Sequence, residues 1–208
     1  MIIAIDGPAA SGKGTIAKGL AKHYGLPHLD TGLLYRAIGQ AMQDQLDEKD
    51  FEQKAIKIAH NLDKSQLDAK KLGTPEIALA AAKIAKIEEV REALRQYQRN
   101  FAQQKGGAVL DGRDIGTRIC PNADVKLFIT ADAKIRANRR YLELLSKGLQ
   151  ADESEILRQI IMRDESDRNN PSGNFYEAKD SHLLDSSKLD IETSLRKAIA
   201  IVDNEMAK

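Results

Sequence analysis

The run Gly7-Pro8-Ala9-Ala10-Ser11-Gly12-Lys13-Gly14-Thr15 has the residue types and spacing to hold a polyphosphate. It follows the apolar stretch Ile2–Ile5 and Asp6 and opens a helical pattern, the strand–turn–helix setting that this chemistry requires. Glycines let backbone N–H groups curl round an anion, the helix N-terminus adds partial positive charge, and Lys13 reaches toward the β- and γ-phosphates. The hydroxyl residue that usually follows the lysine is replaced by Gly14, with Thr15 one place later. Mg²⁺ is therefore expected to be held mainly by phosphates and waters, since it gives up its waters reluctantly, and Thr15 to hydrogen-bond a phosphate. Asp30 and Asp111, each at the C-terminal end of a predicted parallel strand, are candidates to bind the metal's waters; capping or ion pairing is their alternative role.

Two further segments carry groups suited to a second anion. Asp30-Thr31-Gly32-Leu33-Leu34-Tyr35-Arg36 lies just beyond the second predicted strand, where ligands collect in open parallel sheets. Thr31 is placed to cap the next helix, and the guanidinium fork of Arg36 suits a phosphate monoester. Asp111-Gly112-Arg113-Asp114-Ile115-Gly116 leaves the third strand at the same edge. Its arginine can take a phosphate while the carboxylate of Asp114 accepts from a base amino group. An internal ion pair in the turn is the plainer account.

Arg136, Arg139, Arg140, Arg158 and Arg163 crowd one charged helical stretch, Ala133–Arg168. Phosphoryl transfer needs little covalent help; alignment and positive charge in a dry site do most of the work. Arginines on a closing element would arrive only when both substrates are bound. A solvated basic face matched by Glu143, Glu153 and Glu155 is the alternative.

Short apolar runs alternating with helical patterns predict a mostly parallel sheet flanked by helices. Strands are expected at Ile2–Asp6, around Pro27–Leu29, and at Ala108–Asp111, Val125–Thr130 and His182–Asp185. The first helix should run from about Gly12 to Lys22 and the last from about Ile191 to Glu205 behind an Asp190 cap. Thr31–Gln104 reads as almost wholly helical, interrupted at Gly73-Thr74-Pro75 with Thr74 as cap and Pro75 in the first turn. It is too long for a crossover and predicts a satellite domain.

The 208 residues carry 32 Lys and Arg against 31 Asp and Glu, so no global positive field invites non-specific nucleic-acid binding. The single cysteine, Cys120, excludes an internal disulfide and a Cys-rich metal site. His23, His28, His60 and His182 lack metal-ligand spacing, and Tyr24, Tyr97 and Tyr141 read as packing. No apolar run approaches a membrane span and the N-terminus lacks signal-peptide features, which predicts a cytoplasmic protein with no membrane partner.

The phosphate loop, DTGLLYR, VREAL (Val90–Leu94), DGRDIG, ANRR (Ala137–Arg140) and the Arg163–Asp167 run occur in the order found in the bacterial cytidylate kinases, which the chain resembles over essentially its whole length. The resemblance implies an α/β P-loop kinase fold: a five-stranded parallel sheet of order 2-3-1-4-5 with helices on both faces. It divides the chain into a core (1–30, 105–133 and 169–208), a helical monophosphate-binding insertion (31–104) and a short lid (134–168). It implies transfer of the γ-phosphoryl group of ATP to CMP or dCMP with Mg²⁺, by a protein that works as a monomer. Thr31 belongs to the acceptor motif. Arg36 and Arg113 are implied for the acceptor phosphate, Arg91 and Asp114 for cytosine, Asp167 for the sugar. Lys13, Arg139, Arg140 and Arg163 are implied for ATP and the transition state, with adenine near Asp185–Lys188.

The chain departs from that family at several places. A serine that helps hold cytosine falls at Ala82, the β-rich insert is cut down to Leu62–Pro75, and Asn170 stands where an Arg is usual, with Arg168 as a candidate substitute. These changes bear on sugar preference and on strictness toward UMP. A kinase for UMP or for a small metabolite such as shikimate, and a nucleotide-binding regulator without turnover, are the competing readings. Lys13, Arg113 and the lid arginines argue against a pure binder.

Overall fold

The computed structural model describes residues 1–63, 67–170 and 175–208. Five parallel strands, β1 (Ile2–Asp6), β2 (His28–Asp30), β3 (Ala108–Gly112), β4 (Val125–Thr130) and β5 (His182–Asp185), form one sheet in the order β2-β3-β1-β4-β5. β1 is central and covered on both faces, which is why it reads as an unbroken apolar run rather than an alternation. The second strand begins one residue later than expected, because Pro27 has no N–H to give the ladder and contributes only its carbonyl, to Val109 N.

Helices α1 (Lys13–Tyr24) and α8 (Ile191–Met206) pack on one face, burying Leu20, Ala198 and Val202 against Ile3, Ile5 and Leu127. Asp190 caps α8 as expected, accepting from Thr193 N at 2.7 Å. The other face carries α5 (Glu88–Ala102) and a π-helical turn at Ile115–Ile119, over Ala4, Leu29 and Leu110.

The region between β2 and β3 is helical: α2 (Gly32–Met42), a short 3₁₀ turn at Gln43–Gln45, α3 (Phe51–His60), α4 (Pro75–Ile84) and α5. It has its own core of Leu34, Ile38, Met42, Ile84, Val90 and Leu94. Thr74 caps α4 by accepting from Ile77 N at 3.3 Å, with Pro75 in the first turn. The shortened insert forms turns and no strand among its described residues; its residues 64–66 lie outside them.

The charged stretch before β5 is helical as expected and forms two helices, α6 (Ala133–Ser146) and α7 (Glu153–Arg168). Gly148, at φ +73°, ends α6 as Leu149 N bonds back to Leu144 O and Gly148 N to Leu145 O, a left-handed cap that a side chain would strain. Asp152 caps α7, accepting from Ser154 N at 2.8 Å. Ala137, Leu144, Ile156 and Ile160 form a separate small core, against which Ala10 of the phosphate loop packs.

Candidate active site

Strand register decides where the chemistry sits. Asp30 pairs with Asp111, Ile5 with Asp111 and Asp6 with Gly112, so three strands bring their terminal carboxylates to one edge of the sheet. The phosphate loop leaves β1 at that edge. A Cβ on Gly7 would lie 2.1 Å from Ile129 O, so only glycine lets the loop start this close to β4. Ala9 O accepts from Arg136, and Ser11 is fully buried with an Oγ that has no partner among the described residues. Gly12 opens α1, Gly14 faces Asp111, and Thr15 stands exposed on the first turn.

Lys13 Nζ lies 4.0 Å from Asp111 Oδ2. Burial, and then the charge of Arg113, pushes the Lys13 ammonium down to about 8 against the pull of Asp111 and Asp30. Asp30 is held above the ordinary carboxylate range by burial and by Asp111. Two neighbouring carboxylates under this strain are a hard-oxygen donor set, suited to a divalent cation through its waters. Both also have the protein contacts of their alternative role. Asp30 Oδ1 accepts from Gly32 N at 3.0 Å, and Asp111 Oδ1 meets His28 Nε2 at 2.8 Å.

The Asp30 contact corrects one expectation. Thr31 does not cap α2; its hydroxyl instead donates to Asp111 O at 2.8 Å and ties the two strand ends together. The cap fails because Thr31 already has helical φ and ψ, which turn its side chain away from the following N–H groups.

The turn after β3 joins the helical insertion and α7. Arg91 Nη2 donates to Asp114 Oδ2, and both residues are buried. Arg91 Nη1 also reaches Ala85 O at 3.3 Å, as does Asn170 Nδ2, while Arg168 lies exposed. Arg113 Nε donates to Asp167 Oδ2 at 2.8 Å, and its guanidinium lies over the Phe175 ring, 5.6 Å from the centroid. Arg36, half-buried on α2, lies close enough to Arg163 to act on its charge. Ala82 is half-buried on α4.

The five arginines of the two-helix element part company. Arg163 is pushed down to about 10 by burial and then by Arg113, and its Nε is buried without a partner among the described residues. Arg139 donates to Ser186 O at 2.7 Å, Ser186 Oγ at 3.0 Å and Ser11 O at 3.4 Å, resting on the rim of the phosphate loop. Arg140 pairs with Glu143 at 2.8 Å and reaches Gly73 O of the helical insertion at 3.4 Å. Arg136 is committed to a buried, two-pronged pair with Asp164, and Arg158 pairs with Glu155 in solvent.

Lys13, Asp30, Arg36, Asp111, Arg113, Arg163 and Asp167 therefore converge on one locus, where cations compress one another. Sequence reasoning missed Asp6, which accepts from Ile115 N and Gly116 N; Ser186, within the Asp185–Lys188 stretch expected near adenine, is buried under Arg139. The only sequence signal for Asp6 is an acidic residue ending an apolar strand just before the phosphate loop.

The family model described as cytidylate kinase matches residues 3–204 of the chain. The chain is 54% identical over 204 residues to the cytidylate kinase of Bradyrhizobium sp. (strain ORS 278), covering 98% of this chain and 96% of that one. It is 52% identical over 207 residues to that of Afipia carboxidovorans, with 100% and 99% coverage. Among solved structures, an uncharacterised protein from Eubacterium ventriosum matches over 98% of both chains with a TM-score of 0.55 at 17% identity, a likeness of fold alone.

Proposed function

Because the chain belongs to the cytidylate kinase family, we propose that this sheet edge transfers the γ-phosphoryl group of ATP to CMP or dCMP. The carrying observation is Arg163: a half-buried arginine whose Nε is buried without a partner among the described residues, its charge compressed by Arg113 and Arg36 beside the Lys13 loop. Such a cluster lowers its energy by taking up phosphate charge, and transfer is the reaction in which that charge moves between two bound groups.

An oxygen of the acceptor phosphate attacks the γ-phosphorus in line as the bond to the β–γ bridging oxygen breaks, giving CDP or dCDP and ADP. No catalytic base is required, because a monophosphate oxygen is already a competent nucleophile. Backbone N–H groups of the loop from Gly7 to Thr15 hold the donor phosphates, and Lys13 follows the moving group. Arg36 and Arg113 hold the acceptor phosphate, Arg91 and Asp114 read cytosine, and Asp167 serves the sugar. Arg139, Arg140 and Arg163 neutralise the transition state. Asp30 and Asp111 would hold Mg²⁺ through its waters, where the ion would neutralise further phosphate charge.

Residues 1–30, 105–133 and 169–208 act as the core, 31–104 as the monophosphate-binding domain and 134–168 as the lid. The separate small cores of the last two support that division. Both close over the sheet edge when the two nucleotides bind, which keeps water from the phosphoryl group. We take the working form to be a cytoplasmic monomer without a nucleic-acid partner; no described helix is long and apolar enough to cross a membrane.

A coupled assay for ADP, run with CMP, dCMP, UMP and shikimate in turn, tests the reading. ADP release must depend on CMP or dCMP. Turnover with shikimate alone, or with no acceptor, defeats it.

A further inference from the structure

Asp6 is the last residue of β1, the point at which the chain turns into the phosphate loop. Its carboxylate does not face that loop's ligand space. Oδ1 accepts from Ile115 N and Oδ2 from Gly116 N, each at 2.8 Å and fully out of solvent. These N–H groups open the π-helical turn, in which Ile119 N bonds to Asp114 O and Cys120 N to Ile115 O. Nothing earlier in such a turn can accept from its first N–H groups, so they need a partner from elsewhere. One carboxylate supplies both bonds.

Arg113 and Asp114 immediately precede those two N–H groups. We infer that Asp6 is a positioning residue that sets the aim of the Arg113–Asp114 pair relative to the phosphate loop. The inference rests on the acceptor role proposed for that pair. Asp6 fixes the turn to the same strand end that launches Gly7, so the donor and acceptor sides share one reference point. In-line transfer depends on that separation, and a misplacement of about 1 Å can cost about 100-fold in rate.

An apolar residue here would leave both N–H groups unpaired, and the carboxylate is held although burial raises the Asp6 pKa to about 7 against the two N–H bonds that lower it. The charged groups around it are Asp114, which opposes its ionisation, and Arg113, which favours it; the Lys126 stem packs beside Gly116. An amide cannot substitute, since its NH₂ would face one of the two N–H donors.

The test compares wild type with Asp6→Asn in two ways. The first is steady-state kinetics with acceptor and ATP varied separately. The variant should raise the acceptor KM about 10-fold and lower kcat, leaving the ATP KM within about 2-fold. The second is backbone hydrogen exchange in the substrate-free proteins. Exchange should rise over 113–119 and stay unchanged over 7–15. Wild-type acceptor KM, wild-type exchange over 113–119, or an equal rise in both KM values would each overturn the inference. If wild type fails to phosphorylate CMP, the proposed function falls, while exchange over 113–119 still decides whether Asp6 holds the turn. Should Asp6→Asn not fold, Asp6→Glu keeps the charge but displaces it by one methylene, and it is read against the same outcomes.

Discussion

Arg113 and Asp167 stand 54 positions apart and meet as an ion pair, Nε to Oδ2 at 2.8 Å. The pair joins the turn after β3 to the last turn of α7, so the proposed acceptor side and the proposed lid share a charged contact. Because Nε is engaged by Asp167 and Nη1 reaches Gly112 O at 3.5 Å, Nη2 is the part of the fork best placed to meet the acceptor phosphate in the proposed function.

Lys13→Ala should abolish useful turnover while the fold persists. Lys13 is the loop's only side-chain cation, and its ammonium sits over the strand ends beside Asp111. Loss of one stabilising donor in a dry site slows reaction by roughly 10²–10³. Steady-state kinetics together with a thermal melt check this; near-normal kcat in a folded variant would remove Lys13 from the mechanism.

Asp114→Asn should compress the preference for CMP over UMP. A carboxylate can only accept, so it favours the C4 amino group of cytosine and repels the C4 oxygen of uracil. An unpaired buried group costs roughly 1–3 kcal/mol, or about 5- to 150-fold, and Ala82 lacks a hydroxyl, which points to the lower half of that range. Arg91 pins Asp114 Oδ2, so the side chain cannot swing away from a mismatched base. The comparison is kcat/KM for both acceptors at saturating ATP; a wild-type ratio in the variant means that Asp114 does not read the base.

Arg136→Met should destabilise the protein by about 3–5 kcal/mol, because it strands the buried Asp164 carboxylate. That corresponds to roughly 6–20 °C in Tm for a chain of this size. Arg136→Met with Asp164→Leu should recover much of the loss, since no unpaired charge remains. Arg158→Ala, on a pair open to solvent, should leave the melting midpoint where it is. A large loss for Arg158→Ala, or none for Arg136→Met, would reverse the assignment of these two arginines.

Stability should fall as pH rises from about 4 to about 7 through the contribution of Asp6. Its folded pKa of about 7 lies above the ordinary 3.8, so the folded state holds the proton more tightly in that window. The contribution is complete below the unfolded value and lost as pH passes the folded one, with a slope of up to about 1.4 kcal/mol per pH unit. Denaturant melts across pH 4–8 should show this decline in wild type and a flatter profile in Asp6→Asn. Identical profiles would mean that Asp6 does not titrate in this window.

The features legible in the sequence were those fixed by neighbours along the chain. The phosphate loop needs only its own glycines and lysine between a strand and a helix, and Asp190 and Thr74 cap helices whose N–H groups lie three residues on. The strands were readable because a doubly covered sheet demands unbroken apolar runs. Tertiary structure decided which charges meet. Arg136, Arg139 and Arg158 look alike in sequence, yet packing of α6 on α7 turns the first into a buried pair, rests the second on Ser11 and Ser186, and leaves the third in solvent. Thr31 has the right residue type for a cap, and only the backbone angles of the β2–α2 junction turn its hydroxyl to Asp111. The role of Asp6 could not be read from its place at the end of an apolar strand, because its partners are backbone N–H groups 109 and 110 positions away, and a backbone amide has no residue type to read.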